Sequence, residues 1–509
     1  MNPLKRALLL LFCSVVACHA LARQPNIVFI LADDLGYGDI GAFGQKKIRT
    51  PALDRLAVEG MRFTQNYSGN AVCAPSRCVL LTGKHPGHAW IRDNREVQPE
   101  GQPPLPSTTI TLARLLRDNG YATCAVGKWG LGFPGSDGEP LKQGFDHFFG
   151  YNCQRVAHNY YPTSLWNNAE RIALNNRAFS AHQKLPASAD LTAAESYRAF
   201  TGRDFAPDRI RDAAIEFVRT NAQRPFFLYF ATTVPHLALQ VPEDSLAEYR
   251  GKFPEEPYAG TNAYLPHQTP RAAYAAMVTR MDRDIGQLVD TIKALKLEED
   301  TIFVFTSDNG PLYDKLGGTD TDFFNSANGF RGRKGSLYEG GVRVPLIVRW
   351  KGHIKANTSS DRVTGFEDWM PTLAELLSIK APRDLDGVSF APTLLGKKQK
   401  PRDFLYREFP GYDGWQSVRM GDWKLVRRNL KPRPRLAGTE PITELFNLAN
   451  DPFEMRDVKT NRPSMLNQMA TILNSQHERS ELFPFPALDR ATTSSRDNGS
   501  INNEAQRSR

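Results

Sequence analysis

The chain has 509 residues, 41% of them apolar and 23% charged, with a formal net charge of +9. That length exceeds one small domain, and the composition is that of a globular protein, so a peptide-sized scaffold and global disorder are excluded. The basic balance serves solubility first and polyanionic partners second, and no nucleic-acid motif accompanies it.

Lys5 and Arg6 precede an apolar run over 7–18, and Ala20-Leu21-Ala22 offers a small-x-small cleavage site. Residues 1–22 read as a secretory signal peptide, too short for a membrane span. The alternative lies in Val15-Val16-Ala17-Cys18, which has the form of a bacterial lipobox and would leave a protein lipid-anchored through Cys18. Either way the chain is expected to be exported: secreted, periplasmic or lysosomal depending on source. No later stretch is long and apolar enough for a transmembrane segment. Cleavage after Ala22 leaves Cys73, Cys78, Cys124 and Cys153, too few for a disulfide scaffold in a chain this size.

Asn26–Ala32 is a near-continuous apolar run, as are 122–127, 225–231, Thr301–Ser307 and 344–350. Such runs fit strands covered on both faces. Helical periodicity falls between them, over 109–119 (closed by Gly120), 207–221 and 272–297. The alternation predicts a parallel sheet flanked by helices, with a site just beyond the strand C-termini. That rule selects Asp33-Asp34, Lys128 and Asp308-Asn309. Past Pro382 the pattern changes to short strands at 403–426 and 440–458 and one amphipathic helix at 463–479. The expected organisation is a large domain over 23–385, a C-terminal α+β subdomain over 386–489 and a disordered tail over 490–509.

Several segments carry chemistry. Asp33 and Asp34 repel each other unless a cation holds them, and without a His/Cys ligand set calcium fits better than zinc. Cys73-Ala74-Pro75-Ser76-Arg77 leads into Val79-Leu80-Leu81-Thr82-Gly83; a helix starting there brings Arg77 round one turn toward Cys73. Gly127-Lys128-Trp129-Gly130-Leu131-Gly132 follows one strand, and Thr233-Val234-Pro235-His236 follows another. Gly332-Arg333-Lys334 continues to Glu339-Gly340-Gly341-Val342-Arg343.

In this order, from about Asn26 to Val458, the segments resemble the type I sulfatases, the formylglycine-dependent, arylsulfatase-like family. The resemblance implies an alkaline phosphatase-like α/β sandwich: a large, mostly parallel sheet flanked by helices, plus the small C-terminal α+β subdomain. It implies that a formylglycine-generating or sulfatase-maturing enzyme oxidises Cys73 to formylglycine. One hydroxyl of the hydrated aldehyde attacks sulfur; the other, deprotonated, expels sulfate. It further implies one Ca²⁺ on Asp33, Asp34, Asp308, Asn309 and an oxygen of modified Cys73. Arg77, Lys128 and Lys334 would surround the sulfate, His236 would protonate the leaving oxygen, and Glu339 and Arg343 would hold the loop.

The family has a histidine, in contact with the nucleophile region, where this chain has Gly130. His158 is one candidate to replace it, against a plain structural histidine. His85, His88, Arg92 and Arg95 are weaker candidates for lining the cleft, and 317–329 reads equally as a lid or an ordinary loop. The expected activity is sulfuric ester hydrolysis, on an aryl or carbohydrate sulfate monoester. The alternatives are a phosphate or phosphonate ester hydrolase on the same scaffold and a non-catalytic sulfated-glycan-binding protein, the latter supported only by Gly130. Asn66 and Asn357 begin glycosylation sequons, relevant in a eukaryotic secretory route.

Overall fold

The computed structural model describes residues 23–431 and 440–489; the expected signal peptide, with Cys18, and the expected tail lie outside them. The strands in chain order are β1 (Asn26–Ala32), β2 (Met61–Phe63), β3 (Asn66–Tyr67), β4 (Ala122–Lys128), β5 (His147–Tyr151), β6 (Ser164–Asn167), β7 (Glu170–Ala173) and β8 (Phe226–Ala231). They continue with β9 (Thr301–Ser307), β10 (Leu346–Arg349), β11 (Thr358–Ser360), β12 (Thr364–Gly365), β13 (Leu405–Phe409), β14 (Trp415–Met420), β15 (Trp423–Arg428) and β16 (Ile442–Asn447).

A ten-stranded sheet runs β11-β2-β10-β9-β1-β8-β4-β5-β6-β7. Its centre, β9-β1-β8-β4-β5, is parallel. The predicted run 344–350 shortens to β10 and pairs antiparallel with β9 and β2; the segment before it builds a loop at the site rather than a crossover helix.

β1 explains why the central strands read as unbroken apolar runs. Val28 and Ile30 pack on one face with Ile210 and Ala214 of the helix Ala206–Thr220 and with Met277 and Ile285 of Pro270–Ala294. Ile27, Phe29 and Leu31 pack on the other with Leu80, Leu116 and Leu373 of the helices Cys73–Thr82, Leu112–Asp118 and Trp369–Leu376. Each such side chain contributes about 1.5–3 kcal/mol by burial, and both faces need one. The predicted helix 109–119 begins later, because Thr111 Oγ1 accepts the Arg114 N–H at 3.1 Å and caps it.

Beyond the large sheet, β13-β14-β15-β16 form a four-stranded antiparallel sheet. The helix Pro463–Ser475 seats Met469 and Leu473 on it, against Val418, Leu425 and Leu445. Among the described residues no helix is long and apolar enough to cross a membrane. Asn66 is fully buried and its Nδ2 donates to Thr306 Oγ1 at 3.3 Å, which closes that sequon in the folded protein, whereas Asn357 is exposed.

Candidate active site

Four neighbouring parallel strands deliver polar residues to one end of the sheet. β1 runs into Asp33-Asp34, β9 into Asp308-Asn309 and β8 into Thr233 and His236, while Lys128 is the last residue of β4 itself. The register fixes this arrangement: Ala32 lies opposite Ser307, so the two acidic pairs leave the sheet side by side. The Asp308 N–H then bonds to Ala32 O at 3.0 Å, and the Asp34 N–H to Asp308 Oδ1 at 3.1 Å. Asp34 adopts φ +64°, a left-handed conformation that aspartate tolerates better than most residues.

Cys73 opens the helix Cys73–Thr82, and its Sγ lies 3.4 Å from Asp33 Oδ1, 3.4 Å from Lys128 Nζ and 3.3 Å from Lys334 Nζ. Lys128 Nζ also reaches Asp33 Oδ2 at 2.6 Å, and Lys334 Nζ reaches Asp34 Oδ2 at 2.8 Å. Arg77 does come round one turn, but its guanidinium ends on Asp308: Nε and Nη2 both donate to Oδ2, at 3.1 and 2.8 Å, and Nη1 donates to Lys128 O at 2.6 Å. His236 Nδ1 lies 2.7 Å from Leu237 O, and its Nε2 faces Asp34 Oδ2 at 3.4 Å. All these residues are buried.

Charge packing sets their ionisation. Burial drives Asp33 upward, but Lys128, with His236 and Arg77, holds its carboxyl well below the usual range. Burial raises Asp34 in spite of Lys334, and burial together with Asp33 pushes Asp308 up to about 6. Burial disfavours the Lys334 ammonium, yet Asp34 keeps it charged far above its ordinary range. Burial, reinforced by Lys334 and Lys128, pushes His236 well down. Burial lifts the Cys73 thiol to about 12 despite the two lysines.

Asp33, Asp34 and Asp308 bring three buried carboxyl groups to one place, and Lys128, Lys334 and Arg77 pair with them. Asn309 adds a second signal: its Nδ2 donates to Asp34 Oδ1 at 2.7 Å, while its buried Oδ1 has no hydrogen-bond partner among the described residues. Ligand atoms of Asp33, Asp34, Cys73 and His236 lie within 4.8 Å of one another. The donor set of carboxylate and amide oxygens, with one oxygen unsatisfied, fits a hard divalent cation.

The comparisons with known proteins agree with this geometry. The family model Sulfatase matches residues 25–379, and the model N-sulphoglucosamine sulphohydrolase, C-terminal, matches 330–480. The chain belongs to the sulfatase family. It is a sulfuric ester hydrolase.

This sulfatase is 30% identical over 514 residues to the N-acetylgalactosamine-6-O-sulfatase of Bacteroides thetaiotaomicron, covering 90% of this chain and 94% of the relative. It is 34% identical over 430 residues to human arylsulfatase A, covering 81% and 77%. It superposes on the solved structure of Ps i-CgsB in complex with k-i-k-neocarrahexaose with a TM-score of 0.71 and 26% identity, covering 92% of this chain and 97% of that one.

Other candidates from the sequence lie elsewhere. His88 Nδ1 lies 2.9 Å from Asp386 Oδ1, His85 Nε2 lies 3.1 Å from Gln476 Oε1, Arg92 pairs with Glu408 at 3.0 Å, and Arg95 donates to Leu482 O at 3.0 Å. Three of these four grip the C-terminal sheet and the chain that follows its helix. Glu339 holds the Lys334 loop through Tyr67 (2.7 Å), Lys424 (2.8 Å) and Arg343 (3.2 Å). Segment 317–329 is held at Ser326, whose Oγ donates to Asp39 Oδ1 at 2.6 Å.

His158 comes to the site beside His236, and burial with His236 and Lys128 holds its pKa well down. Its ring stacks on His236, with centroids 4.8 Å apart and planes at 13°, and its Nδ1 lies 3.3 Å from His182 Nε2. Tyr264 borders both His158 and His182 at 5.1 and 5.0 Å. The space beside Gly130 belongs to Gln154, which the sequence reading missed. The glycine itself was the available signal, since something has to occupy the volume that a side chain would take.

Proposed function

We propose that this sulfatase is an exported enzyme that removes sulfate from carbohydrate monoesters, using formylglycine made from Cys73 and one calcium ion. The observation that carries the reading is Cys73 itself: Sγ sits within 3.4 Å of Asp33, Lys128 and Lys334, yet its thiol is pushed up to about 12. An oxygen carried at this place would stand beside the acidic pairs and both lysines, which is the setting that a formylglycine nucleophile needs. Asp33, Asp34, Asp308, Asn309 and the oxygen of converted residue 73 would hold the calcium. Bound there, the ion supplies Lewis-acid polarisation of sulfate oxygens.

The chain's own groups divide the remaining work. Lys128 and Lys334 flank residue 73 and offset the charge of a sulfate placed over it. Arg77 orients Asp308 and the end of β4, and so acts through them. His236 keeps its Nδ1 on Leu237 O, which leaves Nε2 to carry a proton to the leaving oxygen. A carbohydrate substrate is supported by the net charge, +9 for the whole chain and 9 − 2 = +7 without Lys5 and Arg6, and by the names of relatives, one an N-acetylgalactosamine-6-O-sulfatase and one solved with a neocarrahexaose. Residues 1–22 would direct export, the catalytic domain would span 23–385 and the C-terminal subdomain 386–489.

The test is peptide mass spectrometry across Cys73 on protein co-expressed with a formylglycine-generating enzyme, followed by a panel of sugar sulfates, an aryl sulfate and an aryl phosphate. A loss of about 18 Da, the mass change of this covalent conversion, with turnover of sulfate esters supports the reading. An unmodified Cys73, with a control sulfatase fully converted, overturns it.

A further inference from the structure

The loop that follows the nucleophile helix carries two histidines onto one aspartate. The helix Cys73–Thr82 ends at Gly83, about 15 Å along its axis from Cys73 at the usual rise per residue, so the loop stands apart from the site described above. Gly83 O accepts the Asp386 N–H at 3.1 Å, and the His85 N–H donates to Asp386 Oδ2 at 2.9 Å. His88 Nδ1 meets both oxygens of that carboxylate, at 2.9 and 3.0 Å. The two imidazoles lie face to face, with centroids 4.1 Å apart and planes at 30°. One ligand atom from each of His85, His88 and Asp386 lies within 4.8 Å of the other two.

The outer side of each ring is also provided for. The Gly87 N–H donates to His85 Nδ1 at 3.1 Å, which puts the ring's proton on Nε2, and Nε2 gives it to Gln476 Oε1 at 3.1 Å. His88 turns its Nε2 toward Glu478 Oε1 at 3.9 Å. A histidine that binds a metal through one nitrogen nearly always gives its other N–H to an oxygen. An amide oxygen behind one ring and a carboxylate behind the other fit that pattern, and pairing with Asp386 alone does not call for them. Both acceptors follow the helix Pro463–Ser475, where the Glu478 N–H is tied to Gly87 O at 3.2 Å. Burial, partly offset by Asp386, pushes His85 below its ordinary value, so its ring is neutral and able to coordinate at neutral pH. The side chains of His88 and Asp386 are 24% and 16% exposed, which gives an ion a way in from solvent.

We propose that His85, His88 and Asp386 form a second metal site, separate from the oxygen cluster at Cys73, which takes zinc and ties the nucleophile helix to the end of the C-terminal subdomain. Two imidazoles and a carboxylate suit a borderline divalent ion such as zinc, whereas calcium takes oxygen ligands. The ligands are the two Nδ1 atoms and one oxygen of Asp386, with water in the fourth position. On binding, the ion replaces the proton between His88 Nδ1 and Asp386. That proton moves to Nε2, beside Glu478, and the Gly87 N–H gives up its bond to His85.

The experiment uses the untagged full chain at saturating calcium, with zinc uptake measured by calorimetry and melting temperature followed as zinc is raised. The wild type is expected to bind one zinc per chain at about micromolar free zinc, more weakly than a closed four-ligand site. It is also expected to melt higher as zinc rises. Loss of an outer partner costs about 10- to 100-fold in metal affinity, so Glu478→Gln is expected to weaken zinc within that range and His88→Gln, which removes a ligand, by more. His88→Gln is expected to lose the zinc-dependent rise in melting temperature while melting near the wild type without zinc. A wild type that takes up no zinc, zinc that leaves as calcium is raised, or binding that His88→Gln does not change each overturns the proposal. Turnover of sulfate esters has no part in these readouts, so a failure of the hydrolase reading would leave them standing.

Discussion

Arg77 gives two hydrogen bonds to a single oxygen of Asp308, from Nε at 3.1 Å and Nη2 at 2.8 Å, with both side chains fully buried. A third bond, from Nη1 to Lys128 O, ties the ends of β9 and β4 to the nucleophile helix. Lysine offers one point charge and cannot reproduce this fork. Arg77→Lys is therefore expected to lower calcium affinity and kcat together by about 10- to 100-fold, the usual effect of losing a group that orients a metal ligand. Calcium titration of activity measures it. A loss of kcat at saturating calcium with unchanged affinity would place Arg77 on the sulfate instead.

Lys334 touches both Cys73 Sγ and Asp34, at 3.3 and 2.8 Å, so it serves nucleophile and carboxylate at once. Lys334→Ala is expected to lower kcat on an aryl sulfate by about 100- to 1,000-fold, as when one charge-stabilising donor is removed. Stopped assays on formylglycine-containing protein check it; a loss confined to KM would mean that the lysine only binds the ground state.

Removal of the metal tests the oxygen cluster. Asp34 and Asp308 are both raised, burial coming first, so without a cation each is driven toward taking up a proton. EGTA is expected to abolish turnover and lower the melting temperature, and excess calcium to restore both. Asn309→Leu removes the unpartnered Oδ1 and also the Nδ2 bond to Asp34 Oδ1, and is expected to weaken calcium and to lower the melting temperature of the chelated protein as well.

His477 is one source of pH-dependent stability that lies away from the metal ligands. His477 Nδ1 lies 2.8 Å from Glu408 Oε2 and Nε2 lies 3.0 Å from Asp489 Oδ1. Burial opposes its charge, but Glu408 and then Asp489 outweigh burial and Arg92, so its folded pKa is raised. A raised histidine contributes stability fully present below the unfolded value of about 6.5 and lost as pH rises through the folded one. Melting temperature is expected to fall from pH 6 to 8, and His477→Gln to flatten that slope. An unchanged slope in the variant would assign it to other groups.

How much of this could be read from the sequence follows from distance along the chain. Asp33-Asp34 and Asp308-Asn309 stand at the ends of apolar runs, and parallel strands bring such ends together, so their meeting was legible without coordinates. Arg77 was placed one turn from Cys73 by helical period alone, but its partner was not: that the guanidinium ends on Asp308 depends on the register of β9 against β1. Lys334 and His236 stood out only through resemblance to a family, because no local pattern marks a lone lysine or histidine. Gln154 was legible only as a question that Gly130 poses. Its amide fills the volume that a side chain at position 130 would take, and a sequence does not show which neighbour moves into such a space. His85, His88 and Arg92 read as cleft residues by closeness to Cys73, but the chain turns away after Gly83, and they meet Gln476, Asp386 and Glu408 instead.

The C-terminal sheet reaches the site through Lys424. Its Nζ lies 2.8 Å from Glu339 Oε1 and 2.9 Å from Glu454 Oε1, all three groups are buried, and the Glu339 N–H donates to Glu454 Oε2 at 2.6 Å. Glu339 in turn closes the loop that presents Lys334, whose own N–H is held on Pro311 O at 2.9 Å. Burial pushes Glu454 up to about 7, with Lys424 the main opposing influence. Lys424→Met leaves two buried carboxyls facing each other, and breaking such a cluster costs about 3–5 kcal/mol. The variant is expected to melt well below wild type and, at a temperature where it is still folded, to lose kcat more than sulfate affinity, because Lys334 is displaced rather than removed. Adding Glu454→Gln to Lys424→Met takes away one of the two stranded acids and is expected to recover part of both losses. If the double variant is no better than the single, the C-terminal sheet supports the fold without tuning the Lys334 loop.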